Sequence, residues 1–281
     1  MDAESGPSVN ISFDFTGKSV VITGAARGIG RAMVRQFVAA GASVVAADRD
    51  RDGLEGTRAS VAAPITLVVA DITLAADADR IVQTAVDHFG SIDFCVNNAA
   101  VAPHAALLEE RAEVWDQVFA VNCRGTFLMT QAAARAMIAA GKGGRIVNFS
   151  SGVSTKGSAG AAAYAASRAA TEAFSRVAAI ELAPHNILVN TISPGLIDTQ
   201  PKPLPPVMAA ALEKRIPTLP LARPGEPEEV GAIALFLCSE GAGYVSGAVW
   251  SVDGGAGLGG RSSGPIIDDD PRYDWVTGRG Q

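Results

Sequence analysis

Short apolar segments alternate with longer amphipathic segments from residue 18 onward. The short segments are rich in β-branched residues and apolar at consecutive positions, which is typical of strands buried on both faces. The longer segments accept a 3.6-residue period and therefore predict helices. The predicted strands are Ser19–Thr23, Ser43–Ala47, Ile65–Ala70, Ile92–Asn97, Arg145–Phe149, Ile187–Ile192 and Ala248–Val252. The predicted helices lie near residues 28–40, 50–62, 74–89, 109–140, 161–183 and 225–240.

This alternation predicts an α/β fold: a single doubly wound domain of the Rossmann type, whose seven-stranded parallel sheet is covered by helices on both faces. No polar linker interrupts the pattern between residues 16 and 255, which we assign to this domain. Residues 1–15 form an acidic leader. Residues 256–281 are rich in Gly, Ser and charged residues, and we interpret them as a tail that is flexible or docks on another subunit.

The composition narrows the class of protein. The 281 residues are 48% hydrophobic and 19% charged, which is too apolar for a disordered chain. A net charge of -6 without basic clusters argues against a nucleic-acid partner. The sequence contains neither a secretory signal nor an apolar stretch of about 20 residues, so we expect a cytoplasmic protein without a membrane partner.

The cysteines and histidines do not form a metal-binding or disulfide pattern. The cysteines are odd in number and far apart, which favours buried reduced thiols, and the histidines lack i,i+4 pairing. We therefore expect no metal. The residues concerned are Cys95, Cys123, Cys238, His88, His104 and His185.

A glycine-rich turn joins the first predicted strand to the first predicted helix. It reads Thr23-Gly24-Ala25-Ala26-Arg27-Gly28-Ile29-Gly30. Glycines at such a turn leave backbone N–H groups and the positive end of the helix accessible to a pyrophosphate. A tight turn that binds no ligand is the alternative for an isolated motif of this kind.

Two acidic residues end the second and third predicted strands. Asp48 lies 18 residues after Gly30, where a carboxylate can accept hydrogen bonds from the adenosine ribose and repel a 2′-phosphate. This favours NAD over NADP, although Arg27 and Arg49 are nearby cations that could reach such a phosphate. Asp71 could hold the adenine amino group or serve as a helix N-terminal acid, and both interpretations stay open.

A tyrosine, a serine and an arginine have the spacing needed for proton transfer. Oxidation of a secondary alcohol requires a base for the hydroxyl proton, and Tyr164 can act as one if a cation favours its phenolate form. Arg168 lies four residues later, on the same face of a predicted helix. Ser151 ends a buried strand and could hydrogen-bond the substrate oxygen. Each residue alone also has a structural interpretation as a turn, packing or surface residue.

These motifs together resemble the classical short-chain dehydrogenases/reductases. The resemblance covers about Gly17 to Gly255 and begins with the GxxxGxG spacing of the turn. Ala100 stands where the family usually has glycine. The matching motifs, in order, are TGAARGIG, Asp48, Asn97-Asn98-Ala99-Ala100, Asn122, Ser151, Tyr164, Ser193-Pro194-Gly195 with Thr199, and Val252-Asp253-Gly254-Gly255.

The resemblance implies an NAD(H)-dependent oxidoreductase that interconverts a secondary alcohol and a ketone. Tyr164 would be the acid/base, acting with Ser151 and Arg168, and Asn122 would hold a helix kink and a water that joins the site to solvent. The nicotinamide amide would lie near Ile197 and Thr199. The cofactor-binding residues implied are Gly24, Arg27, Gly28, Ile29, Gly30, Asp48, Asp71, Ile72, Asn98, Ala99, Tyr164, Arg168, Pro194, Gly195, Ile197 and Thr199.

Arg168 departs from the family, whose pattern is YxxxK. Arginine keeps the charge but cannot release a proton into a relay. The pattern Ser-x12-Tyr-x3-Arg is also that of halohydrin dehalogenases, which close epoxides without a nicotinamide cofactor. Gly28 and Asp48 favour the dehydrogenase. A dehalogenase-like enzyme, or a nucleotide-binding protein with weak catalysis, remains the alternative.

The predicted loops after Asn98, Ser151 and Gly195 are mainly apolar and lack paired cations. They favour a small uncharged or modestly polar alcohol or ketone as substrate. His104 and Lys156 are candidate substrate contacts, with a loop-surface role as the alternative. Aliphatic spacing along residues 109–140 and 161–183, the helices by which relatives pair, predicts a homotetramer or homodimer.

Overall fold

Seven parallel strands form one sheet in the computed structural model, which describes residues 12–199 and 203–258. The spatial order is β3-β2-β1-β4-β5-β6-β7, so the predicted doubly wound α/β fold is confirmed. The strands are β1 (Ser19–Thr23), β2 (Ser43–Asp48), β3 (Thr66–Val69), β4 (Phe94–Asn97), β5 (Gly144–Phe149), β6 (Ile187–Pro194) and β7 (Val249–Val252).

Helices cover both faces of this sheet. They are α1 (Gly28–Ala39), α2 (Arg51–Ala59), α3 (Ala75–Phe89), α4 (Ala112–Phe119), α5 (Thr126–Ala140), α6 (Ala162–Leu182), α7 (Pro206–Arg215) and α8 (Pro227–Cys238). Strand β1 shows why its sequence is continuously apolar. Its Val20 and Ile22 pack with Phe37 of α1, whereas Val21 between them packs with Ile81 of α3 on the opposite face.

The long helix predicted over residues 109–140 is wrong as a continuous α-helix. It is interrupted by a π-helix over Ala120–Gly125, which separates α4 from α5. A π-helix contains one more residue per turn than an α-helix, and a periodic pattern of apolar residues does not reveal that insertion.

Helix α7 lies within the segment after Gly195, which the sequence pattern predicts to be a loop. Pro206 occupies its first turn, where proline is tolerated because its missing N–H would have no intrahelical partner. The prolines that precede the helix therefore mark its start rather than a continuous loop.

Part of the predicted leader packs on the domain. Phe15 is buried and its ring contacts those of Phe37 and Phe94, with ring centroids 5.5 and 5.0 Å apart. The remaining leader, residues 1–11, and residues 259–281 of the tail lie outside the described residues. The division at residues 16 and 255 therefore stays a prediction. Within residues 12–199 and 203–258, no helix is long and apolar enough to cross a membrane.

Candidate active site

The predicted site residues meet at one edge of the sheet. Because all seven strands are parallel, their carboxyl ends lie at the same edge, and the segments that follow β1, β4, β5 and β6 leave the sheet there. The chain changes direction across the sheet between β1 and β4. Such a switch point is where doubly wound sheets bind their ligands.

The glycine turn has no room for side chains at its centre. Gly24 has a φ of +67° and Gly28 a φ of +53°, a backbone conformation that favours glycine. A Cβ atom on Gly30 would lie 2.0 Å from the carbonyl oxygen of Gly24. The turn therefore presents backbone rather than side chains, as close approach of a pyrophosphate requires.

Two residues that the sequence analysis missed hold the carbonyl groups of this turn. The buried Thr57 of α2 donates its hydroxyl hydrogen to the Ala25 oxygen over 2.8 Å. Arg31 donates a short hydrogen bond to the Ala26 oxygen and another, of 3.0 Å, to Thr57 Oγ1. Polar residues within amphipathic helices are usually solvent-exposed, so the sequence gives no signal for these contacts.

Asp48 is fixed beside the glycine turn. Its Oδ2 accepts a hydrogen bond from the Ala26 amide over 3.1 Å, and its Oδ1 accepts one from the Asp50 amide over 3.1 Å. Both amides hold the carboxylate in place while the side chain stays half-buried. Arg27 and Arg49 are both exposed nearby.

The segment after β4 is bound to the same turn. Thr23 Oγ1 accepts hydrogen bonds from the backbone amides of Asn98 and Ala99 over 3.1 and 3.2 Å. The Asn98 side chain donates in return to the carbonyl oxygens of Thr23 and Gly24, both over 3.1 Å. The glycine turn and the segment after β4, both predicted to bind the cofactor, are therefore hydrogen-bonded to each other.

Asp71 takes part in a local turn. Its Oδ1 accepts a hydrogen bond from the Thr73 amide over 2.9 Å. Its own amide donates to Asp77, and this hydrogen bond holds the pKa of the Asp77 carboxyl below its ordinary value. Ile72 is buried, and its side chain packs against Gly125. Asp71 lies before α3, whose N-cap is Leu74, and its carboxylate forms a turn ahead of the helix, so both interpretations of Asp71 stay open.

The segment after β6 comes close to the glycine turn. The Gly195 amide donates to the Val252 oxygen over 3.0 Å, and a Cβ atom on Gly195 would lie 2.6 Å from Cβ of Asp253. Further along, Cβ of Thr199 lies 3.2 Å from the position that a Cβ on Gly28 would occupy. The segment from Pro194 through Ile197 to Thr199 thus joins the edge of β6 to the start of α1.

These features fit a nicotinamide dinucleotide. The turn is a cradle of backbone in which a side chain at Gly24 or Gly30 would collide with the protein, and a carboxylate suited to ribose hydroxyls stands beside it. Among the described residues, no group of three or more His, Cys, Asp and Glu side chains could hold a metal ion.

Tyr164 and Arg168 lie against each other on α6. The guanidinium carbon of Arg168 is 5.2 Å from the centroid of the Tyr164 ring, within the range of a cation–π interaction. Arg168 is only 3% exposed, and its Nη1 donates to the Phe149 oxygen over 2.8 Å. Its Nε has no hydrogen-bond partner in the described part of the chain. A desolvated positive charge is thereby held beside the phenol ring.

Asn122 lies at the centre of the π-helix and joins three segments. Its side chain accepts from the Val101 amide over 2.9 Å and donates to the Val101 oxygen and to Ser167 Oγ over 2.8 and 3.1 Å. Its backbone oxygen accepts from the hydroxyls of Thr126 and Thr171. Asn122 thus ties the π-helix to the loop after β4 and to α6, and its expected role in holding a water stays a prediction.

A buried carboxylate that the sequence analysis missed lies behind Ser151. Glu172 is 7% exposed, and its Oε1 accepts hydrogen bonds from the hydroxyls of Ser150 and Ser154, both over 2.5 Å. A glutamate in the middle of a helix is usually solvent-exposed, so burial could not be inferred from its position. Ser151 itself follows β5 and is half-buried.

His104 and Lys156, the candidate substrate contacts, are exposed. His104 Nδ1 lies 3.1 Å from the Ala102 oxygen in the loop after β4. The three cysteines are free thiols, as expected, and Cys95 and Cys238 are buried while Cys123 is half-buried. Burial raises the pKa of Cys95 to about 12 and raises that of the other two as well, so these thiols are poor nucleophiles.

Known proteins share both the sequence and the fold. A family profile described as enoyl-(acyl carrier protein) reductase matches residues 24–257. The chain is 37% identical to sorbitol dehydrogenase of Cereibacter sphaeroides over 249 residues, covering 85% of this chain and 97% of the relative. It is 38% identical to a 3-oxoacyl-[acyl-carrier-protein] reductase of Thermotoga maritima over 243 residues, covering 85% and 97%. The crystal structure of a short-chain type dehydrogenase/reductase from Mycobacterium marinum superimposes with a TM-score of 0.81 at 34% identity, covering 86% of this chain and 96% of that one.

Proposed function

Because the chain belongs to the short-chain dehydrogenase/reductase family, we propose that it is an NAD(H)-dependent oxidoreductase that interconverts a secondary alcohol and a ketone. The observation that carries the proposal is the buried Arg168 guanidinium, which lies 5.2 Å from the Tyr164 ring centroid and donates to the Phe149 oxygen of β5. This arrangement stands at the same edge of the sheet as the glycine cradle, so proton transfer and nucleotide binding would take place side by side.

Each residue has a distinct role in the proposed oxidation. Tyr164, as phenolate, takes the hydroxyl proton of the alcohol, and the fixed charge of Arg168 stabilises that phenolate without giving up a proton of its own. Ser151 donates a hydrogen bond to the substrate oxygen while it changes from alkoxide to carbonyl. Asn122 holds the loop that contains Val101 and, through Ser167, the first turn of α6. Bound NAD⁺ supplies the hydride acceptor.

The arginine changes how the proton can leave the site. The family pattern has lysine at this position, whereas the Arg168 guanidinium is committed to the Phe149 oxygen and to the face of the Tyr164 ring. Tyr164 itself is half-buried. We therefore propose that Tyr164 exchanges its proton directly with solvent, on the exposed side of its ring, rather than through Arg168.

The proposed choice of NAD rests on Asp48. Two backbone amides hold this carboxylate, so it cannot swing away to make room for a 2′-phosphate. Arg27 and Arg49 are exposed, and neither side chain is held by a comparable hydrogen bond within the described residues. Asp71, Ile72, Asn98, Ala99 and the segment from Pro194 to Thr199 complete the proposed nucleotide site.

The proposed substrate is a small alcohol or ketone that is uncharged or modestly polar. The relatives named above include a sorbitol dehydrogenase, which makes polyols the first substrates to screen. The segments around the site are mainly apolar, and the loop after β4 exposes Leu107 and Leu108 by 74% and 98%. Residues 200–202 of the segment after β6 lie outside the described residues.

We also propose that the protein is a homotetramer or homodimer. Apolar side chains on α5 and α6 remain exposed: Phe127 by 41%, Ile138 by 40%, Val177 by 53% and Ile180 by 76%. Exposed apolar patches on helices are typical of subunit interfaces. Light scattering coupled to size-exclusion chromatography measures the assembly directly, and Ile180→Asp should lower its mass.

A dehalogenase-like reaction is the alternative that Arg168 favours. A direct titration separates the two: NADH, NADPH and buffer are each added to the protein, and ligand fluorescence is recorded. We expect NADH to bind more tightly than NADPH, followed by NAD⁺-dependent oxidation of secondary alcohols in a substrate screen. Absence of NADH binding, with halide released from a halohydrin, would establish the alternative instead.

A further inference from the structure

Glu172 and Arg168 are the two charged residues that are buried among the described residues, and only Arg168 has a role in the proposed mechanism. They lie on the same face of α6 as Tyr164, since positions four residues apart in a helix are neighbours. A buried carboxylate is costly unless it is paired or hydrogen-bonded. The cost indicates that Glu172 contributes something specific to this region.

The hydrogen bonds of Glu172 show what it holds. Its Oε1 accepts from Ser150 Oγ and from Ser154 Oγ, both over 2.5 Å, the distance typical of a hydroxyl that donates to an ionised carboxylate. These two serines flank Ser151 along the chain. One oxygen atom therefore binds the segment on both sides of the residue that would contact the substrate oxygen.

The same segment is bound to the sheet by its backbone. The Ser150 amide donates to the Ile192 oxygen of β6 over 2.7 Å, and the Ser154 amide donates to the Ser151 oxygen over 2.9 Å. The side chains of Ser150 and Ser154 reach α6, while the Ser151 side chain makes no hydrogen bond within the described residues. Ser151 is left available for the substrate, and its position depends on its neighbours.

We propose that Glu172 is a positioning residue that sets the location of Ser151 relative to Tyr164, by holding Ser150 and Ser154 against α6. The role in turnover rests on the proposed function, whereas the effect on the segment does not. Displacement of a catalytic group by about 1 Å can lower kcat by about 100-fold. Loss of the acceptor at residue 172 is therefore expected to lower kcat while nucleotide affinity is kept.

The test compares Glu172→Leu, which removes the acceptor, with Glu172→Gln, which keeps an oxygen at the same place. Hydrogen–deuterium exchange of the full-length protein reports on the segment, and steady-state kinetics report on kcat and KM. We expect Glu172→Leu to speed exchange over residues 152–154 and to lower kcat about 10- to 100-fold, and Glu172→Gln to restore both. Ser175→Ala is the matched control, because it removes a buried hydroxyl of α6 that is hydrogen-bonded to Asn148 rather than to Glu172. It should leave kcat unchanged.

A double variant isolates the route of the effect. If Glu172 acts through the segment, Ser154→Ala alone should speed exchange over residues 152–154, and adding it to Glu172→Leu should lower kcat no further. Unchanged exchange in Ser154→Ala and Glu172→Leu, or equal impairment of Glu172→Gln and Glu172→Leu, would overturn the proposal. If Glu172→Leu does not fold, Ser154→Ala and Glu172→Gln decide by the same exchange readout. Wild-type protein that oxidises no alcohol would refute the proposed function alone, because the exchange measurement does not depend on it.

Discussion

The two halves of the sheet edge differ in the groups that form them, which are mainly backbone in one half and charged side chains in the other. The proposed nucleotide half, at the ends of β1 and β2, consists of a glycine-rich turn in which Thr57 and Arg31 hold the carbonyl groups of Ala25 and Ala26. The proposed catalytic half, after β5, contains two buried charged side chains, Arg168 and Glu172. The shape of the backbone would therefore govern nucleotide binding in one half, and the placement of charge would govern the proposed chemistry in the other. Damage to one half should therefore leave the other intact.

The largest effect is expected for Tyr164→Phe, which removes only the hydroxyl that takes the proton. Loss of a general base typically lowers turnover by about 10²- to 10⁴-fold, so alcohol oxidation should fall by that factor while the dissociation constant for NADH is unchanged. Stopped-flow kinetics and a fluorescence titration measure the two quantities. Tyr244→Phe, at a fully exposed ring, is the control. Retained turnover in Tyr164→Phe would show that another residue is the base.

Gly28→Ala is expected to have the opposite effect: NADH binding weakens while the residues proposed for proton transfer are unaffected. The added Cβ would lie 3.2 Å from Cβ of Thr199, so it would narrow the cradle and raise the NADH dissociation constant about 10-fold or more, or 1.4 kcal/mol. Gly141→Ala is the matched control, because Gly141 has a similar φ of +67° but open space around its Cβ position. Both variants carry the strain of a left-handed alanine, and melting temperatures should show it in both. Equal NADH affinity in the two variants would mean that glycine is required at position 28 for its backbone conformation alone, and not for the space beside it.

Arg168→Lys examines the charge in the catalytic half. Lysine keeps the charge but lacks the planar group that faces the Tyr164 ring and reaches the Phe149 oxygen. We expect an active enzyme whose kcat is about 10-fold lower, which corresponds to an activation free energy higher by about 1.4 kcal/mol. The pH dependence of kcat should also change. Arg124→Lys, at an exposed arginine, should leave the profile unchanged. An identical pH profile in Arg168→Lys would show that Arg168 does not act on Tyr164.

The smallest effect is expected for Asp48→Asn, which alters the charge that the nucleotide half presents beside its cradle. The substitution keeps an oxygen acceptor but removes the repulsion of a 2′-phosphate. We expect the preference for NADH over NADPH to fall about 5-fold, since one charge–charge interaction near the surface is worth about 1 kcal/mol. Parallel titrations with both nucleotides give the ratio. Asp50→Asn, at the N-cap of α2, should not change it.

The sequence predicts the nucleotide half better than the catalytic half, and the reason is physical. Glycines and strand-end acids such as Asp48 mark positions where only one residue type fits, so they can be identified from a single chain. Glu172 is chemically ordinary for a helix, and its burial results from the packing of α6 on the segment after β5. The contact between Thr57 and the glycine turn likewise depends on how α2 lies on the domain.

The difference between local sequence signals and packing also explains which elements of the fold were predicted wrongly. Strand positions follow from runs of apolar residues, and Ser19–Thr23 is predicted with its observed bounds. The π-helix and α7 were missed because neither depends on a hydrophobic pattern. The first depends on an extra residue in a helical turn, and the second on prolines that start a helix rather than exclude one.

The π-helix also makes one stretch of the chain intolerant of deletion. A single residue advances an α-helix by about 100°, so the extra residue in Ala120–Gly125 sets the rotation of α4 relative to α5. A one-residue deletion there would do more than shorten the chain: it would turn one helix about its own axis and carry Asn122 away from Val101. The length of this short stretch is therefore constrained by the orientation of the two helices that it joins.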